Sequence, residues 1–265
     1  MVAYDGSRFA GWQAQDGLRT VQGELERAIA RMAGARCPVR GASRTDAGVH
    51  AHGQVAAFDA PRRIERSKWE RGLNGTLPDD IGVQRADEVA PGYDPRRDSA
   101  FKTYRYVLRL GAHRDPLMVG RAWQIDARRA RPRPAEGRHG PADFLDLDAM
   151  AEAARRLEGT HDFRAFRSAA DQRDNTIRTL TRVEIVRGFA QREDLVAIEI
   201  RGNAFMHNMV RILAGTLVEV GRERMDPEDV EALLGEHPDR GLAGETAPAC
   251  GLYLVAIELG RTRVG

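Results

Sequence analysis

Residues 41–58 read GASRTDAGVHAHGQVAAF, and the side chains in this run could do chemistry. Arg44 and Asp46 stand two apart beside Gly41 and Gly48, with His50 and His52 close behind. A bare carboxylate is a competent nucleophile toward an electrophilic sugar or base carbon. It must stay ionised to act, and a neighbouring guanidinium favours that even where burial opposes it. An Asp in a glycine-bearing loop also commonly bonds its own backbone and makes a turn. The run by itself leaves both roles open, and a distal Arg is as good a partner for Asp46 as Arg44. The histidines raise the question of a metal, but no acidic or cysteine cluster accompanies them and His207 is remote in sequence, so no metal site is expected. A metal-dependent hydrolase built on His50 and His52 would betray itself by chelator-sensitive activity. Gly6, Gly11 and Gly48 form neither of the phosphate-cradling glycine patterns, and there is no G-x-S-x-G elbow.

Other candidates lie further along. Tyr104 and Tyr106, in KTYRYVLRL (102–110), fit a sheet face, but either could instead stack on a base, worth roughly 1–3 kcal/mol. Arg211, in MHNMVRIL, falls beside an apolar helical stripe, where an Arg either snorkels outward or pairs with a buried acid. The 265 residues carry 42% apolar and 30% charged side chains and a net charge of +2, which fits a globular protein with a real core. Lys68 and Lys102 are the only lysines among 41 basic residues; the rest are Arg, the better fork for phosphates. A GC-rich genome would also favour Arg codons, so net charge does not establish a nucleic-acid partner. No run reaches the ~18 apolar residues of a membrane span. The start, MVAYDGSRF, has no basic region followed by an apolar stretch, so secretion is not expected. Cys37 and Cys250 are the only cysteines and lack a CxxC neighbour, so the expected compartment is the reducing cytoplasm.

These side chains must be positioned by alternating strands and helices. Val2–Asp5 reads as a strand fragment, and Thr20 caps a helix with Val21, Leu25, Ala28, Ile29 and Met32 on one stripe. Strands at 39–43 and 54–59 flank the Arg44–Asp46 loop; a helix over 65–73 and a strand over 81–89 follow. In 102–110, Tyr104, Tyr106, Leu108 and Leu110 share one face. The Arg-, Pro- and Gly-rich stretch 127–142 reads as an exposed insertion. The second half offers helices over 147–157, 205–220 and from Pro227, with strands over 181–186, 195–201 and 252–259. The expected class is α+β or α/β, divided into residues 1–110 with the Asp loop and 111–265.

Eight blocks together resemble one family. They are YDGSRFAGWQAQ (4–15), TVQGELERAI (20–29), the opening run (41–58), LNGTLPDDIGV (73–83), YRY (104–106), GTHDFRAF (159–166) and IRGNAFMHNMVRILAGTLVEVG (200–221), with APACGLYLVAI (247–257) closing the series. In this order, over nearly the whole chain, they are similar to the tRNA pseudouridine synthase A (TruA) family. The resemblance implies an isomerase that converts uridine to pseudouridine at positions 38, 39 and 40 of the tRNA anticodon stem-loop. The uracil leaves its N1–C1′ bond, turns, and rejoins through C5, which requires extruding the nucleotide at a cost of a few kcal/mol. By match to the family's motifs, Asp46 is the nucleophile, and attack at C1′, attack at C6 or assistance of a glycal route all fit a carboxylate there. Arg44 would fill the place of the flipped base, Tyr104 would stack on the uracil, Arg211 would pair with Asp46, and Arg96 in YDPRR (93–97) would contact RNA. The fold implied is two similar α/β halves with antiparallel or mixed sheets joined across a central basic cleft. The protein would act as a homodimer on tRNA, with no cofactor, no metal and no membrane.

This chain departs from the family's usual pattern in three places. Only MVA precedes YDG where several more residues are usual, so either the start lies upstream or the first strand is short. Pro95 stands in the RNA-contacting stretch, and the 127–142 insertion is long. The reading from another class is an RNA-binding or RNA-chaperone module on the same scaffold with little turnover.

Overall fold

The computed structural model describes residues 1–126, 144–235 and 239–260, so the expected insertion at 127–142 lies outside the described residues. The chain divides into two compact units, Met1–Lys102 with the C-terminal stretch from Tyr253, and Thr103–Leu252. Each is a sheet faced by helices, the mixed α+β architecture expected.

In the first unit, β1 (Val2–Tyr4) lies antiparallel between β5 (Ile81–Val83) and β3 (His50–Gln54), and β11 (Leu252–Leu259) pairs parallel with β3. Helix α1 (Val21–Ala33) starts as its sequence requires: Thr20 is extended and its hydroxyl accepts the Gly23 N–H at 3.2 Å. Its buried face is Val21, Leu25, Ala28 and Ile29. Helix α2 (Arg66–Asn74) buries Trp69 and Leu73, the former edge-on to Phe58. Two short elements complete the unit: the ladder of β2 (Arg40–Gly41) with β4 (Ala56–Ala57), and the one-turn α3 (Pro95–Asp98) beside β2.

The second unit has the sheet order β6 (Ser99–Leu110), β10 (Leu195–Gly202), β9 (Ile177–Arg187) and β8 (Gly159–Asp162), with β7 (Trp123–Ile125) parallel to β6. Helix α4 (Leu147–Arg156) packs on β9, on α5 (Met209–Gly221) and on α6 (Pro227–Ala232). Met150, Ala153, Leu180, Ile198, Ile212, Leu213 and Leu217 are at most 1% exposed and form the core between helices and sheet. Helix α5 is buried almost all round, as an apolar helix inside a core must be.

Four expected boundaries are corrected. The strand expected at 39–43 shrinks to β2, because Val39 spends its N–H on Glu26 Oε1 and its carbonyl on Gln22 Nε2. The strand expected to start at Gln54 starts at His50, since pairing with Tyr253 from the far end of the chain extends it. The strand from Ile81 stops at Val83, where the Asn74 amide binds both the Val83 N–H (2.7 Å) and carbonyl (2.8 Å). The helix expected over 205–220 starts at Met209, because Asn208 takes φ +60° and the His207 N–H is held by the Asp171 carboxylate.

Candidate active site

The loop carrying Asp46, in the first unit, is held through the backbone of Ser43, Thr45, Asp46, Gly48 and Val49. Gln54, fully buried, accepts the Ser43 N–H and donates to the Ser43 carbonyl at 2.7 Å. The hydroxyls of Tyr4 and Thr45 meet at 2.8 Å, and the Trp12 N–H donates to the Thr45 carbonyl at 3.0 Å. The Val49 N–H returns to the Asp46 carbonyl at 3.2 Å, closing a turn in which Gly48 has φ +78°. Gly11 (φ +100°) lies against this turn so closely that a Cβ there would stand 2.8 Å from the Thr45 oxygen and 3.2 Å from the Asp46 carbonyl carbon. Only glycine meets both demands. The YDGSRFAGWQ segment is thus the mould for the Asp46 loop.

Side chains along the loop alternate: Ser43 and Thr45 are buried, Arg44 is exposed, and Asp46 is half-buried. Arg44 makes no hydrogen bond or ion pair among the described residues. The two residues therefore do not form a salt-bridged turn: Thr45 is the anchor between them, the guanidinium goes to solvent, and the carboxylate stays at the half-buried end. His50 and His52 serve the sheet. The His50 ring stacks on Tyr253 at 4.6 Å and accepts the Gly6 N–H at Nδ1, while His52 stacks on the same tyrosine at 5.4 Å. Among the described residues no three His, Cys, Asp or Glu side chains gather as a metal would require. Arg96 is exposed on α3, where Asp94 caps the turn and buried Pro95 takes the first helical position, a place that suits proline. That helix is tied to the strand leading into the Asp46 loop, since Arg40 donates to the Tyr93 carbonyl at 3.1 Å.

Tyr104 and Arg211 lie in the second unit, and each contacts the loop 203–208. Tyr104 is 6% exposed on β6 and meets Phe205 edge-on, with ring centroids 5.0 Å apart. Phe205 belongs to the loop 203–208 that enters α5, and Asn208 at its end accepts from Arg211 at 2.9 Å. Arg211 also donates through Nε to the Ala247 carbonyl at 2.7 Å and accepts the Ala247 N–H at its own carbonyl. Tyr106, two residues on from Tyr104, donates to the adjacent Pro248 carbonyl at 2.7 Å, and burial pushes its hydroxyl pKa far up. The YRY, NAFMHNMVR and APAC blocks, apart in sequence, are thus one local structure. Between the tyrosines, Arg105 points away and pairs with Glu199 at 2.6 Å.

Asp171 is the member that sequence reasoning missed. It is 7% exposed, and its two oxygens accept the N–H groups of His207 (2.8 Å) and Arg173 (3.2 Å), fixing the loop that carries Phe205. Burial pushes its pKa up, but those two N–H bonds and the charges of Arg173 and Arg167 outweigh it and hold the carboxyl below the ordinary range. It stands in an unremarkable loop, AADQRDN, and no local signal marked it.

The model of the tRNA pseudouridine synthase family matches residues 1–96 and 153–258. This chain belongs to that family. It is similar at full length to tRNA pseudouridine synthase A of Pelobacter propionicus, 41% identical over 256 residues that cover 97% of this chain and 96% of that protein. The synthase A of Geobacter sulfurreducens is 40% identical over 254 residues (96% of each chain), and that of Myxococcus xanthus 43% over 253 (96% and 88%). Family membership makes the chain an isomerase of the pseudouridine-forming class. Among the described residues no helix is long and apolar enough to cross a membrane.

Proposed function

We propose that this protein isomerises uridine to pseudouridine at positions 38, 39 and 40 of the tRNA anticodon stem-loop, with Asp46 as nucleophile, acting as a homodimer in the cytoplasm. The observation that carries the reading is the Asp46 loop: its backbone is held by Trp12 and Gln54 and closely packed by Gly11, its Thr45 hydroxyl is held by Tyr4, its carboxylate is half-buried and its Arg44 is free to reach out. Such fixation is what a nucleophile needs, because holding reacting atoms in geometry removes an entropic part of the barrier.

In this reading the target nucleotide leaves the stack, and the exposed Arg44 takes the place it vacates. The N1–C1′ bond breaks, the base turns, and C1′ bonds to C5. The C5 proton leaves and N1 gains one, so nothing is added and no co-reactant is required. Tyr104 offers its ring to the uracil, and its own orientation is set by Phe205. Arg211, the cation that the resemblance assigns to the carboxylate, is held at two of its nitrogens by Ala247 and Asn208. Arg96, exposed on its proline-started turn, would meet RNA phosphates.

The test is to incubate the protein with unmodified tRNA and map pseudouridine by mass spectrometry. Conversion confined to positions 38–40 is expected. Binding of tRNA without conversion would favour an RNA-binding module instead, and conversion at other positions would remove the anticodon-arm assignment.

A further inference from the structure

The second unit holds an arginine cluster that the reaction above does not use. Arg167 follows the turn Arg164–Phe166, Arg173 stands in the next loop, and Arg178 lies at the start of β9. One carboxylate, Asp171, serves all three: Arg173 touches it, and it interacts with Arg167 and Arg178 through charge. Arg173 Nε lies 3.2 Å from Asp171 Oδ1, and Arg167 donates to the Arg173 carbonyl at 2.6 Å. Asp174, the other acid of this loop, is exposed and forms no ion pair among the described residues.

Arg178 is the unusual member. It is only 8% exposed, yet its Nη1 reaches just the Ile177 carbonyl and Asn175 Oδ1, and its Nε has no acceptor among the described residues. Burial, and then the charge of Arg173, lower its pKa from the ordinary guanidinium value. A buried charge without a counter-charge of its own is costly. Three guanidiniums around one carboxylate leave a positive excess that a further anion would relieve. Arg173, whose side chain is 57% exposed, makes the cluster reachable from solvent.

Its location says which anion. Asp171 binds the His207 N–H, Ser168 donates to the His207 carbonyl at 3.2 Å, and Arg173 Nη1 donates to the Phe205 carbonyl at 3.3 Å. The cluster is therefore fastened to the loop 203–208, which sets Phe205 against Tyr104 and leads into Arg211. An anion held here is a neighbour of the tyrosine assigned to the uracil. In a polynucleotide every base is flanked by phosphates, and guanidinium forks match phosphate geometry.

We propose that Arg167 and Arg173, set over the buried charge of Arg178, bind a backbone phosphate of the RNA next to the target nucleotide. The proposal rests on the isomerase reading above and adds a substrate contact to it. Equilibrium binding of tRNA, followed against KCl concentration, tests it with wild type, R167Q, R173Q and R173K, each also unfolded thermally. Losing one phosphate contact should lower the magnitude of the slope of log K against log salt by about 0.9, so that the ratio of wild-type to variant affinity grows about eightfold as salt falls from 1 M to 0.1 M. R167Q and R173Q are expected to show this loss, and R173K, which keeps the charge, to retain the wild-type slope. A wild-type slope in both glutamine variants, with only the melting temperature changed, would make the cluster an internal brace and overturn the proposal. An equal loss of slope in R173K and R173Q would overturn it too, since loop disruption rather than charge would then be at work. Pseudouridine formation by wild type, scored in the same tubes, separates the two readings: its absence defeats the isomerase assignment whatever the slopes are.

Discussion

Asp171→Asn keeps the shape of the side chain but removes its charge and one acceptor. In the wild type each oxygen takes a backbone N–H, His207 at 2.8 Å and Arg173 at 3.2 Å. The amide offers one oxygen and an NH2, so one of those N–H groups must face another donor. An unsatisfied buried donor costs about 1–3 kcal/mol, and the lost pairing with the largely exposed Arg173 adds about 0–1. The sum, about 1–4 kcal/mol and centred near 2, corresponds to a melting temperature about 4–8 °C lower at that centre for a chain of this size. The pH dependence follows from the lowered pKa. Asp171 titrates below its ordinary value in the folded protein, so its stabilisation is complete above about pH 5, begins to fall as the unfolded carboxyl protonates and is lost as pH falls through the folded value. The gap between wild type and variant should hold steady from neutral pH down to about 5, then close, because the protonated acid resembles the amide. Calorimetric scans across that range decide the matter. A shift below about 1 °C at pH 7, or a gap that persists unchanged into acid, would show that Asp171 does not hold the 203–208 loop.

Three further outcomes are expected. Gly11→Ala drives a Cβ into the Thr45 carbonyl at a φ of +100°, so the Asp46 turn must shift; turnover should fall about 100-fold. Wild-type turnover in single-turnover assays of that variant would mean the turn tolerates displacement. Tyr4→Phe leaves the buried Thr45 hydroxyl without its 2.8 Å partner, costing about 1 kcal/mol in urea unfolding and lowering kcat more than it raises KM; an unchanged kcat would disconnect the clamp from catalysis. Arg44→Ala should leave stability within about 0.5 kcal/mol, since the side chain is exposed and unbonded among the described residues, yet cost turnover more than tRNA affinity. A proportionate loss of both would make Arg44 a ground-state phosphate contact.

What could be read in the sequence was whatever is written locally. The Thr20 cap and the stripe of α1 depend on neighbours within a turn or two, and they lie where their spacing put them. The alternation of β6 buries Tyr104, Tyr106, Leu108 and Leu110 as expected, although Val107 is buried with them. Errors arose where a distant group competes for the backbone. His50 is strand because Tyr253 pairs with it, and residues 205–208 are loop because Asp171 takes the His207 N–H. The site followed the same division. Asp46 and Arg44 were conspicuous by type and spacing, but periodicity could not tell a salt-bridged turn from two diverging side chains; burial of Thr45 between them decides it. Local pattern likewise could not foresee that Gly11 moulds the turn, that Pro248 anchors Tyr106, or that Asp171 braces Phe205, because each contact joins segments far apart in the chain.

The central claim is that the Asp46 carboxylate performs the chemistry, and Asp46→Asn tests it most directly, since it preserves the size of the side chain and removes its nucleophilic charge. Wild type and variant would be compared for tRNA affinity and for pseudouridine formed at positions 38–40 in a single turnover. The account predicts tRNA affinity close to wild type and no pseudouridine from the variant. Pseudouridine formed by Asp46→Asn at the wild-type rate would contradict it.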